Sequence, residues 1–184
     1  MARLRDVTMQ RPTILFVGIN PGERSGKIGH HFAGPGNPFW KLLHAAGITP
    51  VELRADEDQR LTEFHHGLVN LCTRPTRTAA ELTAAELARG ARRLAGIVGA
   101  LEPEVVALVG VTLYPIVCRH LRVAKRHQTP GPGPKPELVA GARLFVVPNP
   151  SGLNASFPTF AAKLPWFRQL ALYAGLGVAP APSA

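Results

Sequence analysis

The stretch VGINPGERSGKIGHHFAGPGNPFW, from Val17 to Trp40, follows directly on an apolar run, Thr13 to Val17. It combines many Gly and Pro residues with two adjacent histidines and an Asn set against a Pro. A simple connection needs one or two such turn residues. This one holds enough of them to shape a backbone-lined pocket. Two later segments share its character: NLCTRPT after a second apolar run and VPNPSGLNA after a fourth.

Familiar phosphate and metal patterns fail when tested at these segments. PGERSGKI has Pro21 where a phosphate loop needs Gly, and Ile28 where it needs Ser or Thr. No G-x-G-x-x-G follows a strand, which argues against a nucleotide cofactor. His30 and His31 are neighbours whose side chains point apart, with no acidic or cysteine partner at ligand spacing, so no metal is expected. No G-x-S-x-G elbow occurs, which disfavours acyl hydrolysis.

The elements that would carry these segments alternate between two periods. Thr13–Ile19, Gly67–Cys72, Val105–Gly110 and Arg143–Pro148 are short apolar runs without clean alternation, as in strands buried on both faces. Helical spacing marks Asn37–Ala46, Thr83–Leu101, Val111–Leu121 and Phe160–Leu176. Thr83 and Glu86 form a capping box, and Pro103 closes that helix. Strands alternating with helices predict an α/β domain whose parallel sheet carries helices on both faces. Ligands bind beyond the carboxyl ends of the strands in such sheets, where all three unusual segments lie. Lys125–Gly141, with TPGPGPKP, is expected to be a surface excursion.

The chain has 184 residues, the length of one domain, 1–184, with flexible tails expected at 1–11 and 177–184. No apolar stretch is long enough to span a membrane, and the charged start is no secretory signal. Cys72 and Cys118 sit in apolar surroundings and are expected buried and reduced, which fits a cytoplasmic protein. The net charge is +9, with 21 Lys and Arg against 12 Asp and Glu, which favours a polyanionic partner.

GINPG, GHHFAGPGNPFW and VPNPSGLN together resemble the mismatch-specific uracil-DNA and thymine-DNA glycosylase family, within the uracil-DNA glycosylase superfamily. GLVNLCTRPT and ELARGARRL add intermediate matches, and the likeness runs from Thr13 to about Leu172. It implies a three-layer sandwich around a central four-stranded parallel sheet. It also implies a monofunctional enzyme that flips uracil, and by extension thymine or a modified pyrimidine, out of G·U or G·T mismatched double-stranded DNA. Hydrolysis of the N-glycosidic bond would leave an abasic site, with no cofactor and no membrane partner, and the protein is expected to act as a monomer.

By the same resemblance Asn20 is catalytic. A neutral amide is no general base, but it accepts and donates hydrogen bonds and so can aim a water. Phe32 matches the ring on which the flipped base stacks. Ile19, His31 and Asn70 match other base-pocket positions, Ile19 through its backbone. Asn70 departs from relatives that carry Lys there, which leaves the base range open. Leu153 matches the wedge that fills the space left by the base, with Gly152 and Asn154 facing the widowed guanine. Ser151 and Lys27, with Arg24 and Arg74, are candidate phosphate contacts. Two other readings stand beside the enzyme. A non-catalytic sensor of mismatched DNA would bind G·U duplex without releasing base. A small nucleotide- or RNA-binding α/β protein would show no preference for mismatches.

Overall fold

The computed structural model describes residues 4–121, 131–151 and 156–177. Five strands form one sheet: β1 (Ile14–Gly18), β2 (His66–Asn70), β3 (Val105–Val109), β4 (Gly133–Val139) and β5 (Ala142–Val147). Their spatial order is β2-β1-β3-β5-β4. The first four apolar runs are β1, β2, β3 and β5, and they pair in parallel as expected. The expected four-stranded sheet is corrected to five, because β4 adds to β5 as an antiparallel edge.

Both faces of the sheet are covered, which is why the parallel strands are apolar throughout. Ile14 and Phe16 point to a core shared with Phe39, Leu42, Phe167 and Leu170. Leu15 and Val17 point the other way, toward Leu94, Val98 and Val117. The first face carries α2 (Phe39–Ala45) and α5 (Phe160–Tyr173). The second carries α3 (Ala84–Leu101) and α4 (Leu113–Leu121). At the start of α3, Thr83 Oγ1 accepts from Glu86 N at 3.2 Å, and Glu86 Oε2 accepts from Thr83 N at 2.9 Å. That is the capping box expected from the spacing.

Edge strand β4 reverses the usual pattern. Its inward positions include Lys135 and Glu137, while Pro134, Pro136 and Leu138 face out. Tyr114 O–H donates to Glu137 Oε2 at 2.7 Å, and Lys135 Nζ donates to Gly131 O at 2.8 Å, so these buried polar groups are satisfied. The outward prolines lack the N–H that a further strand would need, which blunts the edge.

The N-terminal segment departs from the expected tail over residues 4–11. Val7 is fully buried and exchanges backbone hydrogen bonds with Leu68 at 2.8 and 2.7 Å. Arg93 on α3 pairs with Asp6. Val7, its backbone hydrogen bonds and the Asp6–Arg93 ion pair bind this charged stretch along β2. Positions 178–184 of the expected C-terminal tail lie outside the described residues. Cys72 and Cys118 are buried free thiols, and among the described residues no helix is long and apolar enough to cross a membrane.

Candidate active site

A short helix, α1 (Glu23–Ile28), follows β1 where the sequence suggests only a loop. A Cβ on Gly26 would sit 2.4 Å from Pro75 Cγ, so glycine there lets α1 press against the segment after β2. Thr76 N donates to Pro21 O at 3.1 Å, and Gly22 bridges Thr76. The NPG and TRPT segments are thereby joined side by side at the carboxyl edge of the sheet.

A cavity of about 470 Å³ opens at this edge. Its walls come from the ends of four parallel strands. β1 contributes Gly18, Ile19 and Asn20; β2 contributes Asn70 and Thr76; β3 contributes Gly110 and Thr112; β5 contributes Asn149 and Ser151. His31 and Phe32 line it from the loop after α1, and Leu4 from the N-terminal segment. The structure thus gathers Ile19, Asn20, His31, Phe32, Asn70 and Ser151 around one space. Lys27 is exposed on α1 and outside the cavity wall. Gly152, Leu153 and Asn154 lie outside the described residues.

Asn20 is held in one sense. Its Nδ2 lies 3.1 Å from Pro21 O, 3.0 Å from Arg74 O and 2.6 Å from Thr76 Oγ1. Two of these partners are carbonyls that can only accept, so the nitrogen must face them. Thr76 Oγ1 gives its own hydrogen to Thr78 O at 2.8 Å, and so acts as acceptor toward Asn20. The carboxamide oxygen of Asn20 bonds to none of the described residues and stays available as an acceptor in the half-buried wall.

Phe32 adopts a left-handed backbone conformation, with φ 51°. Its ring stacks on Phe39 with centroids 3.9 Å apart and planes 22° apart. Phe39 is fully buried, so it braces the Phe32 ring from behind as a core residue. A Cβ on Gly18 would sit 2.4 Å from Asn70 Oδ1 and 3.6 Å from Phe32 Cζ. Gly18 therefore leaves the floor between these two side chains open.

The two histidines have different partners. His30 Nδ1 lies 3.3 Å from Asp58 Oδ1. His31 is almost wholly buried, and its ring nitrogens meet Arg5 O at 2.9 Å and Asn70 Nδ2 at 3.4 Å. His31 N donates to Asp58 Oδ2 at 2.9 Å, and His31 O accepts from Trp40 Nε1 at 3.2 Å. Burial holds the His31 imidazole below its ordinary pKa, against the upward pull of the Arg5 carbonyl and the Asp58 and Asp6 carboxylates. Among the described residues no group of three or more His, Cys, Asp or Glu side chains could hold a metal ion.

The family model for the uracil DNA glycosylase superfamily matches residues 6–173. The chain belongs to this superfamily. The fold is also similar to the solution structure of a candidate uracil DNA glycosylase from Methanosarcina acetivorans, with a TM-score of 0.61. That likeness covers 92% of this chain and 97% of the other, at 19% identity, and bears on fold alone. Superfamily membership supports a DNA glycosylase role, with DNA as the polymer acted on.

Arg24 and Arg77 add positive charge to the cavity. Arg24 Nε donates to Ala33 O at 3.0 Å, which ties α1 to the loop bearing Phe32. Arg74 is committed elsewhere: its guanidinium lies 2.6 and 3.0 Å from the two Glu86 oxygens. It serves the site through its backbone carbonyl on Asn20. Thr76, Asn149 and the turn after β3 were not singled out from sequence. TRPT and VPNPS signalled the first two. VGVT carries no unusual residue, so only its place at a strand end could have revealed it.

Proposed function

We propose that this chain is a monofunctional DNA glycosylase acting on uracil in G·U mismatched duplex, with thymine or modified pyrimidines in G·T-type contexts as further substrates. The observation that carries this reading is the fixed Asn20 carboxamide, with its nitrogen tied back and its oxygen left as an acceptor in a cavity beside Phe32 and Asn70.

The pyrimidine rotates out of the stack at a cost of a few kcal/mol, less at a mismatch. It stacks on Phe32, an interaction worth about 1–3 kcal/mol. The bond between N1 and C1′ then breaks, leaving positive charge on the sugar and negative charge on the base. Water bonded to Asn20 Oδ1 adds its oxygen to C1′ and releases a proton to solvent. The base anion takes up a proton on leaving. Lys27 and Ser151 contact phosphates in this reading, Leu153 acts as the wedge, and Gly152 and Asn154 face the widowed guanine. The protein acts as a cytoplasmic monomer.

The test is excision on G·U, A·U, G·T and single-stranded uracil substrates, each read with and without alkali. Release of base from G·U with strand breakage only after alkali supports the proposal. Tight G·U binding with no base release supports the non-catalytic sensor instead.

A further inference from the structure

Resting on the glycosylase reading above, we propose that His31 is the positioning residue that sets which way the Asn70 carboxamide faces, and so which pyrimidine edge the site accepts.

The Arg5 carbonyl can only accept a hydrogen bond. Neutral His31 therefore carries its hydrogen on Nε2, 2.9 Å from Arg5 O, and Nδ1 is a bare acceptor. Asn70 Nδ2, 3.4 Å away, donates to it. Asn70 Oδ1 is then directed over Gly18, where the missing side chain gives it room in the cavity floor. The surroundings leave little else free to move. Arg93 Nη1 donates to Asn70 O at 2.8 Å, and the His31 backbone is held at both N and O.

An oxygen in the floor matches a base edge that donates, such as the N3–H of uracil or thymine. It opposes a bare acceptor, such as N3 of a cytosine-type base. Protonated His31 has a hydrogen on both ring nitrogens, so Nδ1–H faces the Asn70 NH2 group and the amide must turn over. The floor then presents a donor, and the preference shifts toward the cytosine-type base. The charged and titratable groups around His31 are Asp58 on the Ala55–Phe64 turn, His30 in the same loop, and Asp6 on the N-terminal segment, paired with Arg93 of α3. The carboxylates favour the proton, while burial and His30 oppose it.

The experiment compares single-turnover release of uracil and 5-fluorocytosine, each opposite guanine in one duplex sequence, from pH 7.5 down through the His31 titration, which 15N spectra locate. The uracil preference of the wild type falls by about tenfold or more as His31 gains its proton, the effect of one mismatched hydrogen bond. His31→Asn, which puts a non-titrating amide oxygen near Nδ1, holds the preference flat with pH, and Asn70→Ala flattens it at a lower value. Independently of turnover, long-range 15N spectra show hydrogen on Nε2 alone at pH 7.5, and the Asn70 side-chain signals follow the His31 titration. Uracil release with a pH-independent preference overturns the proposal and leaves the glycosylase reading standing. No release of either base overturns the glycosylase reading. Hydrogen on Nδ1, or Asn70 signals that ignore the titration, overturns the His31 assignment in either case.

Discussion

Asn20 Nδ2 lies 2.6 Å from Thr76 Oγ1, a hydroxyl that passes its own hydrogen to Thr78 O. The two residues are far apart in sequence, and the link between them reinforces the hold that the Pro21 and Arg74 carbonyls have on the Asn20 amide. Thr76→Val keeps the shape of the side chain and removes the acceptor. The amide then turns more freely, and single-turnover uracil release falls by about tenfold, the worth of one buried hydrogen bond. Affinity for G·U duplex stays close to wild type, read by fluorescence anisotropy.

Gly18→Ala places a methyl group 2.4 Å from Asn70 Oδ1, inside normal contact. Asn70 must shift, and the cavity floor closes beside Phe32. Uracil release falls by about 100-fold or more through misplacement of the base. Thermal unfolding tracks the accompanying loss of stability, so the two effects are measured separately.

Acid destabilises the fold through His66. Its Nε2 donates to Ile48 O at 3.1 Å, and burial lowers its pKa from 6.5 to about 4. The unfolded chain takes up this proton first as pH falls, so stability is full above pH 6.5 and is lost between pH 6.5 and 4. The loss approaches about 3 kcal/mol at the lower limit. The downward shift of His31 acts in the same direction. Urea denaturation at pH 7.5 and pH 4.5 measures the slope, and His66→Gln flattens it.

DNA affinity falls steeply with salt. With a formal charge of +9 and Arg24 and Arg77 at the cavity, binding displaces counterions from the phosphates. A plot of log affinity against log salt has a slope of about −3 or steeper. A salt-independent affinity contradicts phosphate contact.

Much of the molecule was legible because the physics was local. Ile14–Gly18 and Val105–Val109 are apolar on both faces, which is the signature of a covered parallel strand. Thr83 and Glu86 announced the start of α3. Three Gly- and Pro-rich segments at strand ends pointed to the cavity edge. What was hidden depended on distant partners. β4 reads as a loop because Lys135 and Glu137 face inward, and partners such as Gly131 and Tyr114 are supplied by the fold. Residues 4–11 read as a tail because the partners of Val7 and Asp6, Leu68 and Arg93, lie far along the chain. α1 has a weak helical sequence and is fixed by Pro75. Asp58, which receives His30 and the His31 backbone, has no motif of its own.

The central claim is that the Asn20 oxygen aims the attacking water, and Asn20→Ala tests it most directly. Single-turnover release of uracil from a G·U duplex falls by on the order of 100-fold in this variant, while its affinity for the same duplex is nearly unchanged. A variant that releases uracil at the wild-type rate contradicts the account.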